Sequence, residues 1–175
     1  VTITGYDRDG DSADVDVQLD VTDDIPVVNT ASETVTVEDE KDDDLNGNDE
    51  LGDGGVKTVN GTIVDNVSWG ADEFDDTATT FTVASEGNTT VFTGGTTVYW
   101  LEDGTFNGDN PANAAVSLLV RADGTYTYTL INNTLIDSGD NGEDTDLLDT
   151  VTITGYDRDG DSADVDVQLD VTDDI

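Results

Sequence analysis

Three stretches of this chain concentrate carboxylates densely enough to hold a cation. The first is Tyr6-Asp7-Arg8-Asp9-Gly10-Asp11, which recurs as Tyr156-Asp157-Arg158-Asp159-Gly160-Asp161. The second is Asp20-Val21-Thr22-Asp23-Asp24-Ile25-Pro26, and the third runs from Glu38, Asp39 and Glu40 to Glu50 with eight acids and one lysine. Carboxylates this close repel one another unless a cation sits between them. Hard oxygen donors without nitrogen or sulfur partners select Ca²⁺ over transition metals, and Mg²⁺, which holds its waters, fits less well. The candidate ligands are therefore Asp7, Asp9, Asp11, Asp20, Asp23, Asp24, Glu38, Asp39, Glu40, Asp157, Asp159 and Asp161. The order is not that of an EF-hand, because the positions for its glycine and its last glutamate, counted from Asp7, hold Ser12 and Gln18. The stretch LGDGGVKTV lacks the spacing of the glycine-rich nonapeptide of calcium β-rolls. Asp, Asn and Gly also favour turns for conformational reasons alone, so a solvated loop is the competing reading of any single stretch.

The whole composition leans the same way. With 42 acidic and 5 basic residues, the chain carries a formal charge of −37. It has almost no cations with which to displace phosphate counterions, so nucleic acid is excluded as a partner. Direct contact with anionic membranes is disfavoured for the same reason. Self-repulsion on this scale opposes compaction unless salt or bound cations offset it. Cysteine and histidine are absent, which removes disulfides, zinc sites and thiol redox chemistry. No apolar run approaches the roughly 20 residues of a membrane span.

What must position these acids is a repeat. Residues 1–25 and 151–175 are identical at every position. A copy at this spacing implies a section of a tandem array, holding one full repeat (26–175) and the tail of the repeat before it (1–25). The absence of methionine fits an internal piece of a longer chain. Units in series bury their own cores and touch chiefly their neighbours, so neighbouring identical repeats are the first partners to expect.

Within the repeat the periodicity is that of strands. In Ala163-Asp164-Val165-Asp166-Val167-Gln168-Leu169-Asp170-Val171 the apolar residues alternate with acids and amides, which puts one face on a core and the other in water. Thr34–Val37 and Thr125–Leu130 repeat the theme, in residue types that suit a pleated surface. Asp103-Gly104, Asp123-Gly124 and Gly94-Gly95 supply turns between runs. No segment carries a helical period, and 132–149 reads as a long polar loop. The pattern predicts an all-β, immunoglobulin-like antiparallel β-sandwich. The tail 1–25 reads as that fold's last hairpin without its domain, leaving Val15, Val17, Leu19 and Val21 uncovered. It is expected either to pack on a neighbouring molecule or to exchange with 151–175 of another copy.

Two resemblances follow from these motifs. Asp20-x-Thr22-Asp23-Asp24-x-Pro26 resembles the cadherin interdomain linker, with Thr22 and Asp24 in place of its two asparagines. That likeness implies calcium held by Asp20, Asp23 and Asp24 between consecutive domains, with Asp170, Asp173 and Asp174 as the second copy. The succession DGTYTYTL, GEDTDLLDTVTITGYDRDGD and VDVQLDVTDDI, with WGAD at 69–72, is similar to the extender repeats of giant RTX adhesins. It implies a type I-secreted protein of the bacterial cell surface, folding in external calcium and serving as a stalk in adhesion and biofilm. The Asp7–Asp11 turn and Glu38–Glu40 are the expected outside contributors to the linker site. The alternative function is calcium-dependent glycan binding, with Trp69, Tyr99 and Trp100 as the stacking surface. A threonine-rich ice-binding face at 89–97 is disfavoured by its irregular spacing. An enzyme is the weakest reading, since carboxylate pairs are the acid–base groups available and repeated domains seldom need repeated active sites.

Overall fold

The computed structural model describes residues 1–39, 57–131 and 144–173. Thirteen strands and one 3₁₀ turn, Val64–Asn66, make up its regular structure. The order is β1 (Thr2–Tyr6), β2 (Ser12–Asp16), β3 (Val27–Val28), β4 (Ser32–Asp39), β5 (Thr58–Thr62), β6 (Val67–Ser68) and β7 (Thr80–Ser85). There follow β8 (Asn88–Thr93), β9 (Thr96–Leu101), β10 (Ala114–Val120), β11 (Thr125–Leu130), β12 (Asp144–Tyr156) and β13 (Ser162–Asp173). Two sheets face each other in a sandwich, ordered β5-β11-β10-β9 and β4-β13-β12-β7-β8. A short β3–β6 pair and the separate β1–β2 hairpin complete the set.

The alternation read from the sequence is the alternation seen. Val165, Val167 and Leu169 of β13, Val151 and Ile153 of β12, and Phe81 and Val83 of β7 turn into the core. They meet Val98, Trp100, Val116, Leu118, Tyr126 and Tyr128 of the opposing sheet. Tyr126 passes over Gly61 of β5, where a Cβ would occupy the space of its ring, and donates its hydroxyl to Glu33 Oε1 at 2.6 Å. Burial first, and then this acidic partner, raise the Tyr126 phenol above its ordinary value.

Two features differ from the sequence reading. β12 starts at Asp144, so 144–149 is strand and not loop, while 132–143 lies outside the described residues. The acid-rich start conceals the strand because its register shifts between Leu147 and Asp149. Leu148 packs on the core, and Asp149 Oδ2 accepts the Trp100 indole N–H at 2.9 Å. The second feature is direction: among the described residues every strand pair is antiparallel except β4–β13, which runs parallel from Ser32↔Asp166 to Asp39↔Asp173.

The identical segments 1–25 and 151–175 have opposite surroundings. As β12–β13 the sequence fills the middle of a five-stranded sheet; as β1–β2 it keeps the same register, Ile3↔Val15 matching Ile153↔Val165, with no sheet around it. This difference gives an internally controlled prediction. A Cβ at Gly155 would come within 2.5 Å of the Trp69 ring and 3.0 Å of Phe74, whereas at Gly5 its nearest neighbour is the Ala13 carbonyl at 3.9 Å. Gly155→Ala should cost about 1–3 kcal/mol by overpacking, and Gly5→Ala should leave stability unchanged. Urea unfolding of both variants measures this; equal effects would contradict the packing.

Candidate metal centre

The turn between β12 and β13 is built by one side chain. Asp157 Oδ1 accepts N–H groups from Gly160 at 3.0 Å and Asp161 at 2.8 Å, and Gly160 takes φ of 107°. Only glycine adopts such a conformation at low cost, so the Asp-Arg-Asp-Gly-Asp order is first of all a turn. In the first copy Asp7 Oδ1 accepts from Asp9, Gly10 and Asp11 in the same way. A side-chain hydrogen bond with Asp9, followed by these backbone bonds, holds Asp7 below the ordinary carboxylate value.

The two copies then part. Asp7, Asp9 and Asp11 are exposed and bring their carboxylates together as a group of their own. Asp157 is 1% exposed, and its Oδ2 is buried without a hydrogen-bond partner among the described residues. In the same turn, carboxylate oxygens of Asp159, Asp161 and the linker residue Asp23 lie within 4.8 Å of one another. Segment 69–75 wraps the base of this turn. The Trp69 indole N–H donates to the Val64 carbonyl at 3.1 Å, and its ring packs on Phe74, with centroids 4.8 Å apart. Phe74 bridges to Asp157, and Asp75 N–H donates to the Tyr156 carbonyl at 2.8 Å. Arg158 N–H meets the Glu73 carbonyl, and the Arg158–Glu73 ion pair (2.6 Å) lies outside, exposed.

This wrapping draws in the linker. Asp24 Oδ2 accepts the Ala71 N–H at 2.9 Å, beside Gly70, whose φ of 70° leaves room where a Cβ would run into that carboxylate. Asp72 completes the acidic circle. Burial, and then the charges of Asp159, Asp23, Asp157 and Asp24, push its carboxyl above the ordinary value. Six carboxylates therefore gather across the linker and the turn, and the nearby arginine is engaged outside them. Such a set is destabilising on its own and suits a hard divalent cation.

The candidate ligands thus sort into three places. Asp23, Asp159 and Asp161 converge, with Asp157 and Asp24 adjoining; Asp7, Asp9 and Asp11 form their own group; Asp20 is exposed and belongs to neither. Glu38 and Asp39 correct the sequence reading. The parallel β4–β13 pairing sets them beside Thr172 and Asp173, at the far end of β13 from Asp161. At about 3.4 Å per residue a strand of this length puts them more than about 30 Å from Asp23. Glu40 and Asp174 lie outside the described residues. Among the described residues the outside contributors to the linker group are therefore Asp159, Asp161 and Asp72, in place of the Asp7–Asp11 turn, Glu38 and Asp39. Asp72 carried a signal in the sequence, the WGAD motif, but not one that specified a role.

The aromatic surface expected of a glycan site is mostly interior. Trp69 and Trp100 are buried in the core, and Tyr99 is half-buried. No helix among the described residues is long and apolar enough to cross a membrane. Comparison of the chain with protein-family models, with curated proteins and with solved structures gave no match.

Proposed function

We propose that this chain is a calcium-stiffened spacer repeat of a large bacterial surface adhesin, in which residues 26–175 form one domain and 1–25 end the domain before it. On this reading the protein is exported by type I secretion, folds outside the cell and holds ligand-binding domains away from it. Its cofactor is Ca²⁺, and its principal partners are the neighbouring repeats of the same chain.

One observation carries the proposal: the linker residue Asp23 meets Asp159 and Asp161 on the turn that Asp157 builds. The donors are carboxylate oxygens, which suit calcium, and they come from both the interdomain segment and the domain it enters. Asp23, Asp159 and Asp161 would hold the ion, with Asp157, Asp72 and Asp24 as the neighbouring acids it neutralises. Bound calcium supplies positive charge there. The protein's own contribution is to fix the linker against the domain through Asp24, Ala71 and Pro26, whose ring restricts φ. Extracellular modules bind calcium in the 10⁻⁴–10⁻³ M range, which leaves sites of that strength largely empty in cytoplasm and filled outside.

The test uses two repeats in series. Asp23→Asn with Asp24→Asn is expected to loosen the angle between domains, read by interdomain distance distributions from paired spin labels, while each domain stays folded and loses no more of its melting temperature than calcium adds, about 5–10 °C. Loss of domain stability equal to the loss of interdomain order would contradict a hinge role.

A further inference from the structure

Among the described residues the sandwich has four edge strands, β4, β5, β8 and β9. β4 and β5 lie close to each other on one side. β9 is covered by residues 105–108: Tyr99 N–H donates to Gly108, Asn107 N–H to Tyr99, and Leu101 N–H to Thr105, at 2.8–2.9 Å. β8 remains. Among the described residues nothing hydrogen-bonds to its outer side, and Asn88–Val91 and Thr93 are exposed, Val91 to 65%.

Its composition is unusual for this chain. Between Thr77 and Leu101 the single charged residue is Glu86, at the tip of the β7–β8 turn, in a protein that is 27% charged. Open edges in monomeric proteins are guarded by charge, proline or bulges. β8 reads Asn-Thr-Thr-Val-Phe-Thr, pairs with β7 in unbroken register, and has none of these. The two-residue turn Glu86–Gly87, with φ of 51° and 79°, makes Ser85 and Asn88 the closing pair. Alternate residues Thr89, Val91 and Thr93 therefore direct their backbone N–H and C=O groups away from β7.

We propose that β8 is a self-association edge, at which two copies of this chain pair β8 to β8 antiparallel about a twofold axis at Val91. A second copy is the occupant because of charge. Two chains of −37 repel across nearly every surface they could bring together, and the uncharged β7–β8 margin is where they approach with least cost. The twofold pairing is self-complementary, since each strand offers the other the same outward groups at Thr89, Val91 and Thr93. One contact of this size is weak, and repetition along a tandem array multiplies it through effective concentration.

The geometry also fixes orientation. β13 leads from the Asp161 end of the sandwich to the Asp173 end, and β8 lies in the same sheet. Antiparallel β8 pairing therefore sets the two molecules antiparallel, the Asp161 end of one beside the Asp173 end of the other. For stalks this is the arrangement of molecules reaching toward each other from facing surfaces. That consequence rests on the spacer reading, whereas the pairing does not.

Sedimentation equilibrium of the whole 175-residue chain in physiological salt tests the pairing. A concentration-dependent dimer is expected for the native sequence and for Ile3→Glu, which alters the exposed β1–β2 hairpin. Val91→Glu, which sets two carboxylates at the axis, and as a second variant Thr89→Glu with Thr93→Glu, which face each other across the pair, should each weaken association about tenfold or more. Because the chain has no cysteine, Val91→Cys should also give a disulfide-linked dimer on mild oxidation. A native chain that stays monomeric up to millimolar concentration would overturn the proposal. So would a dimer that survives both glutamate variants on β8, or one lost only in Ile3→Glu, which would assign association to the hairpin. The spacer function would stand in each of these cases.

Discussion

Calcium at 100-fold excess over its dissociation constant is expected to stabilise the domain by about 2.7 kcal/mol, and Asp159→Asn with Asp161→Asn should abolish that gain. For a protein of this size the increment corresponds to a rise of about 5–10 °C in melting temperature. The sign should reverse in chelator. There the native sequence carries like charges at Asp23, Asp72, Asp157, Asp159 and Asp161 with nothing between them, and burial, followed by the charges of its neighbours, already raises the Asp72 carboxyl. Removing two of the charges should leave the calcium-free domain as stable as the native one, or more so. The crossing of the two melting curves between calcium and chelator is the diagnostic. An equal calcium increment in variant and native protein, by scanning calorimetry, would place the ion elsewhere. A loss of stability in chelator would show that Asp159 and Asp161 serve the turn and not a cation.

The second large effect is expected in the core. Leu169→Ala should cost about 2–5 kcal/mol, while Leu19→Ala, the same change in the same nine-residue context, should cost almost nothing. Leu169 is fully buried within β13, and Leu19 is 70% exposed beyond β2. Deleting a buried isobutyl group forfeits transfer free energy and leaves a cavity; deleting an exposed one forfeits neither. Chemical denaturation of both variants measures the difference. If Leu19→Ala were as costly as Leu169→Ala, the hairpin would be occupying a β12–β13 slot in another copy, as hairpin exchange requires.

The exact repeat also shows what a sequence can and cannot disclose. The strand character of 163–171 was legible because a period of two needs no knowledge of partners, and the Asp123-Gly124 and Gly94-Gly95 turns were legible from backbone conformation alone. The burial of Asp157 was not. Asp7 has the same neighbours in sequence and is exposed; the difference comes from Trp69 and Phe74, which pack at the base of one turn and not the other. Alternation also carries no direction. β4 reads equally well parallel or antiparallel, and only the parallel choice takes Glu38 and Asp39 to the opposite end from Asp23. Asp144–Asp149 escaped as strand because the register shift breaks the period where acids are densest. The linker acids stand apart in the sequence as a group, but the loop that meets them depends on a long-range contact, Asp24 with Ala71, that no local pattern encodes.

The most direct test of the central claim is small-angle scattering from two repeats in series, first in millimolar calcium and then in excess chelator. Linker acids bridged by an ion to the Asp159–Asp161 turn predict a rod, with a maximum dimension near two domains end to end that shortens and broadens when calcium is removed. A profile unchanged between the two conditions would contradict the account, and would leave the acidic junction as a solvated linker.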